Sequence, residues 1–236
     1  MNKTHSIVNY SKRQMEKDEG GRKHILYELT AIKKQYKIYD KRVLELGCGG
    51  GANLMCFSSE NEVFGIDGLE SAAELARERG VKVSQANLDM DFEFSEREVD
   101  WVLLVDVLEH LQYPEKLLKR VHEVLSQNGR VIINVPNHFN LSGRIKLLFG
   151  KDLDVGNFFP DHDEWNNPHI RFFTFKGIKR LANVSGYKVI EDRSSHFPAV
   201  PLLTGILPVS VSRIIAKIAP NLFTTSYFLV LSRMRG

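Results

Sequence analysis

Cysteine is nearly absent, with Cys48 and Cys56 the only two in 236 residues. That excludes a disulfide framework and a cysteine-rich zinc site, and both thiols are expected to be reduced. Acidic side chains vanish toward the C-terminal end, where residues 196–236 carry four Lys/Arg and no Asp/Glu, a net +4. Residues 1–42 carry eleven Lys/Arg against five Asp/Glu, a net +6, so a whole-chain charge of +3 leaves −7 for the stretch between. A nucleic-acid enzyme draws much of its affinity from phosphate neutralisation, and an acidic middle argues against RNA or DNA as partner. A long unbroken apolar run is also lacking. The most apolar stretch is cut by Pro201, Pro208 and Pro220 and holds charges, which excludes a bilayer-spanning helix there. Met1 to Glu19 is polar and charged, without the apolar segment of a secretory signal, so a cytoplasmic location is expected.

What is present is alternation. Short apolar runs take turns with helical patterns in the manner of βαβ units, at a length that suits one large α/β domain. The pattern predicts a helix from Gly21 to Tyr39, then a strand at Val43–Leu46 followed by glycines and a second helix. Further strands are expected at Glu62–Ile66, Val81–Gln85, Trp101–Val105 and Arg130–Val135. Helices are expected at Ser71–Arg79, with Gly80 past its end, and at Pro114–Leu125, with proline near its start. From Pro136 to Pro168 the pattern breaks into an irregular stretch, and such insertions commonly carry function. A helix at Phe175–Val184 and strands at Tyr187–Glu191 and Thr225–Leu231 complete the reading. The expected division is an N-terminal helical extension (1–40), a core (41–195) with its insertion at about 136–170, and an apolar C-terminal cover with the last strand (196–236).

The first strand runs into Glu45-Leu46-Gly47-Cys48-Gly49-Gly50-Gly51, and the second ends in Ile66-Asp67-Gly68. Glycine at such a turn admits a ligand where a Cβ would clash, and the helix after it offers free N–H groups. An acid ending the next strand is placed to bind ribose hydroxyls, so an adenosine compound is expected. Gly47-x-Gly49-x-x-Ala52 also fits a loose dinucleotide fingerprint, and a glycine turn that binds nothing is the plain alternative. Glu45 separates these. A carboxylate about 4 Å from a pyrophosphate charge is repelled by roughly 4 kcal/mol at an effective dielectric of 20. S-adenosylmethionine (SAM) instead brings an ammonium and a sulfonium, both of which suit Glu45.

Glu45-x-Gly47-x-Gly49-x-Gly51 resembles motif I of the class I SAM-dependent methyltransferases. The resemblance continues through Asp67, through Asp106-Val107-Leu108-Glu109-His110-Leu111 and through Asn128-Gly129-Arg130, covering about residues 40–195. It implies a Rossmann-like α/β fold whose mainly parallel seven-stranded sheet has the order 3-2-1-4-5-7-6, strand seven antiparallel, with helices on both faces. It further implies that Asp67 holds the ribose, that Gly47 and Gly49 line the methionine part and that Asp106 lies near the sulfonium. Cys48, Gly51, Gly68 and Leu88 join these as cofactor-contact candidates. Gln85-Ala86-Asn87-Leu88-Asp89 and Pro168-His169-Ile170-Arg171-Phe172-Phe173-Thr174 resemble the MetW-like branch and methyltransferases of sugar, lipid and quinone pathways. In that branch the third-strand position binds the adenine amino group and is commonly Asp. Here it is Asn87, whose amide oxygen can accept the same bond.

Methyl transfer from a sulfonium needs alignment and, for an alcohol acceptor, removal of a proton. Histidine suits that role near neutrality. His110, His169 and His138 are the candidates, against readings in which His110 caps a segment and His169 packs beside Phe172 and Phe173. Cys48 fills the glycine turn as a small side chain rather than acting as nucleophile. Asp161-His162-Asp163 invites a metal reading, but without further ligands a solvated loop is preferred, and no metal is expected. Val211, Ile214, Ile215 and Ile218 fall on one helical face with Ser210, Arg213 and Lys217 on another. The bland reading is a helix covering its own sheet or a homodimer contact. The sharper one is a peripheral membrane contact through residues 200–220 at the inner face of the membrane. The expected acceptor is a small molecule or glycan.

Overall fold

The computed structural model describes residues 22–90, 92–94, 97–150, 169–201 and 206–234. Its strands are β1 (Arg42–Leu46), β2 (Glu62–Asp67), β3 (Lys82–Gln85), β4 (Val99–Val105), β5 (Leu125–Pro136), β6 (Tyr187–Asp192) and β7 (Ser226–Arg233). They form one seven-stranded sheet in the order β3-β2-β1-β4-β5-β7-β6, as the resemblance implies. β1 pairs in parallel with β2 and β4, and β2 in parallel with β3. β6 and β7 are antiparallel, with an irregularity between Val189 and Glu191. The helices are α1 (Lys23–Tyr36), α2 (Glu70–Glu78), α3 (Pro114–Val121), α4 (Leu141–Leu148), α5 (Phe175–Val184), α6 (Val209–Ile218) and the single turn α7 (Pro220–Phe223).

Two compact units divide the chain. One is built on residues up to Leu104 with Arg120–Arg130, the other on Val105–Lys119 with Val131 onward. In the first, Val43, Leu44, Leu46, Phe64, Ile66, Val102 and Leu103 are buried, the near-continuous apolar runs of parallel strands covered on both faces. Each such side chain contributes roughly 1.5–3 kcal/mol by leaving water. α2 packs on β2 and β3 through Ala72, Ala73 and Ala76, whose small side chains let the helix lie close. In the second unit Tyr227, Phe228, Leu229, Val230 and Leu231 of β7 are all fully buried, and α5 packs on β6 and β7. Among the described residues no helix is long and apolar enough to cross a membrane.

Three local expectations are corrected. After the glycine turn there is no full α-helix but only a 3-10 turn at Leu54–Cys56. Gly49 to Gly51 propagate a helix poorly, and the side chain of Asn53 is drawn back to Glu45. α3 stops at Val121 and β5 begins at Leu125, so Asn128-Gly129 lies inside a strand rather than ahead of one. Gly129 is tolerated because the Leu125 side chain occupies the space a Cβ would need, 2.7 Å away. The stretch after Pro136 is not wholly irregular: Asn140 caps α4 by accepting from the Gly143 N–H.

Candidate active site

In the first unit the site is a turn with its backbone held open. Gly47, Gly49 and Gly51 take φ values of +71°, +50° and +78°, a region that L side chains avoid. A Cβ on Gly49 would meet nothing within 4 Å, so the backbone there faces open space that a ligand can enter. Asp67 fastens the turn from β2: one carboxylate oxygen accepts from Gly49 N–H at 2.8 Å and the other from Leu69 N–H at 2.9 Å. Each oxygen keeps a further lone-pair site for a hydroxyl donor. Glu45, fully buried, accepts from the Asn53 side-chain amide at 2.6 Å. These features fit a cationic adenosine ligand: open backbone, an anchored carboxylate at the strand end and a buried acid beneath the turn.

The other candidates near this turn sit differently. Cys48 is buried against Gly65, where an added Cβ would lie 2.5 Å from its sulfur, so it is a packing residue. Burial, with Glu45 and Asp67 nearby, pushes its thiol far above the usual range, which removes any nucleophilic role. Gly51 faces α2, where a Cβ would come 3.1 Å from that of Ala76. Gly68 is exposed and Leu88 half-buried. Asn87, exposed, turns its amide oxygen onto the Asp89 N–H at 3.0 Å. The preceding residue, Ala86, donates its N–H to the Asp67 carbonyl.

In the second unit the chain gathers three histidines and a buried acid. Asp106, just past β4, is held at φ +55°. Asn134 of β5 fixes it, its side-chain amide donating to the Asp106 carboxylate at 2.6 Å and its carbonyl accepting the Asp106 N–H at 3.0 Å. A short 3-10 turn, Leu108–His110, follows. The carbonyl of Glu109 accepts both the Ile170 and Arg171 N–H groups, each at 2.9 Å, and Arg171 also donates to the Gln112 carbonyl at 2.6 Å. These bonds bring His169 onto His110, their rings 4.8 Å apart. His138, two residues past β5, places Nε2 3.0 Å from His169 Nδ1 and packs edge-on against Phe172.

Glu109 is fully buried, and among the described residues neither carboxylate oxygen has a hydrogen-bond partner. His169 Nε2 lies 4.0 Å from one of them, too far for such a bond. Burial first, and then the Asp106 carboxylate, hold the Glu109 carboxyl well above the ordinary carboxylate range. Glu109, His110 and His169 also each offer one ligand atom within 4.8 Å of the others, the one such group among the described residues. Asp161, His162 and Asp163 lie outside the described residues.

Residues 22–192 match a family model described as a methyltransferase domain. The chain belongs to that family. As a SAM-dependent methyltransferase it takes S-adenosyl-L-methionine as its cofactor. An uncharacterised protein of Methanocaldococcus jannaschii is 26% identical over 173 residues, covering 73% of this chain and 76% of its own. A ubiquinone biosynthesis O-methyltransferase of Coxiella burnetii is 20% identical over 178 residues, 72% of this chain and 73% of its own. Among solved structures, a TehB-like SAM-dependent methyltransferase of Corynebacterium glutamicum superposes with a TM-score of 0.61 at 17% identity, covering 98% of this chain and all of its own. This methyltransferase therefore brings Glu45, Gly47, Gly49 and Asp67 together in one unit, and Asp106, His110, His138 and His169 in the other. Sequence reasoning passed over Asn53, Asn134 and Glu109. Only Glu109 left a signal, as the acid beside His110 in a run already singled out.

Proposed function

We propose that the chain methylates an oxygen of a small-molecule or glycan acceptor, with His169 as the group that takes the acceptor's proton. The observation that carries this is the contact of His169 Nδ1 with His138 Nε2 at 3.0 Å, which leaves His169 Nε2 beside Glu109 and His110. In the base-competent tautomer His169 donates from Nδ1 to His138, and Nε2 is the ring atom that would accept a hydroxyl's proton. His138 is then a positioning residue. Bound SAM supplies an electrophilic methyl group on a sulfonium. The first unit contributes the grip on it: Asp67 toward the ribose, Gly47 and Gly49 as open backbone, Glu45 as the acid beneath the cationic end. Asn87 is the further contact we assign to it.

Two findings support oxygen and a small acceptor. The Coxiella relative is an O-methyltransferase by name. The acidic middle of the chain, −7 between residues 43 and 195, disfavours a polyphosphate acceptor. The test pairs untargeted mass spectrometry, seeking metabolites or glycans that gain one methyl group, with kinetics of two variants. His169→Ala should lower kcat by roughly 10²-fold or more while leaving SAM affinity unchanged. Loss confined to His110→Ala would move the role there. Because Glu109, His110 and His169 have a metal-like spacing, chelation belongs in the same experiment, and the base reading expects turnover to survive it. SAM binding without transfer to any acceptor would leave a non-catalytic binding module.

A further inference from the structure

Helix α6 is turned inside out. A C-terminal amphipathic helix ordinarily lays its apolar stripe on the domain, yet here Ile214 and Ile218 are 59% and 79% exposed and Val211 is exposed beside them. The residue α6 buries is the small Ala216. Lys217 is exposed on the same helix, with Arg213 half-buried. α4 has the same character. From Arg144 to Gly150 every residue is exposed, and the segment reads Arg-Ile-Lys-Leu-Leu-Phe-Gly, with Leu148 and Phe149 81% and 74% exposed. Both helices pack against the short α7, within one unit. No acidic residue occurs from 124 to 151 or from 193 to 236.

We infer that α4 and α6 together form a docking face for an anionic phospholipid surface. An apolar stripe edged with Arg and Lys and lacking acids matches what a bilayer interface offers: acyl chains for Leu148, Phe149, Ile214 and Ile218, and lipid phosphates for Arg144, Lys146, Arg213 and Lys217. A second copy of the chain fits less well. An isologous contact sets a patch against itself, and a patch with positive charges alone would place like against like. The inference stands on these two helices and does not depend on the acceptor or on the base.

The experiment is vesicle co-flotation of the full chain with phosphatidylcholine vesicles, with and without phosphatidylglycerol. The protein should float with the anionic vesicles, stay behind with the zwitterionic ones and be released by raised salt. Substituting Leu148, Phe149, Ile214 and Ile218 together by Ser should abolish flotation. Substituting Arg144, Lys146, Arg213 and Lys217 by Gln should weaken it roughly five-fold per residue, a second arm that leaves the apolar side chains untouched. Absence of flotation with anionic vesicles overturns the inference, as does flotation of either variant equal to that of the unsubstituted chain. A chain that light scattering finds dimeric, and that the Ser variant makes monomeric, overturns it in favour of a second copy.

Discussion

A buried carboxyl without a hydrogen bond is costly, and among the described residues Glu109 is one. Its burial keeps the proton on past the pH at which the unfolded chain releases it. Over that window the folded state binds more protons, so stability falls as pH rises from the ordinary carboxylate range through the raised folded value. Glu109→Gln keeps the shape and the neutrality while removing the titration. Its melting temperature should therefore gain on the wild type as pH is raised, and parallel curves would show that Glu109 does not titrate this way. Asp67 is the corresponding residue of the first unit. Asp67→Ala removes a carboxylate that holds the Gly49 and Leu69 N–H groups, and calorimetry should find SAM bound about 1–3 kcal/mol more weakly.

At the scale of elements, the short helices depend on their ends. Thr174 caps α5 by accepting the Gly177 N–H at 3.0 Å, directly after the segment that carries His169. Thr174→Ala should destabilise the fold by about 1 kcal/mol in denaturant titration, and restoring the cap with Ser should recover most of it. The elements also mark how far the sequence could be read. β1, β2, β4 and α2 fall within a residue or two of expectation, because a period of apolar residues ending in Gly80 or Asp67 is local information. The 3-10 turn after Gly51 and the early start of β5 were not legible. One follows from Asn53 reaching Glu45, the other from Leu125 folding over Gly129, and both are side-chain contacts that no periodicity encodes. The orientation of α6 was equally hidden, since an amphipathic pattern gives two faces and does not say which one turns inward.

For the whole molecule, ligand binding and folding are linked. SAM bound only by the folded chain should stabilise it by about 2.7 kcal/mol at a hundred-fold excess over Kd. For a chain of this size that is a rise of roughly 5–10 °C in melting temperature, readable by differential scanning fluorimetry. The demethylated product should act similarly, and a melting temperature indifferent to both would contradict the cofactor assignment. The sequence by itself determined the family, the strand order that comes with it and the glycine turn with its two acids, because these reside in short motifs whose spacing is covalent. Only the tertiary structure decided that His138, His169, His110 and Glu109 meet. They come from separate turns after β4, after β5 and before α5, and it is the Glu109 carbonyl, accepting the Ile170 and Arg171 N–H groups, that closes the distance between them.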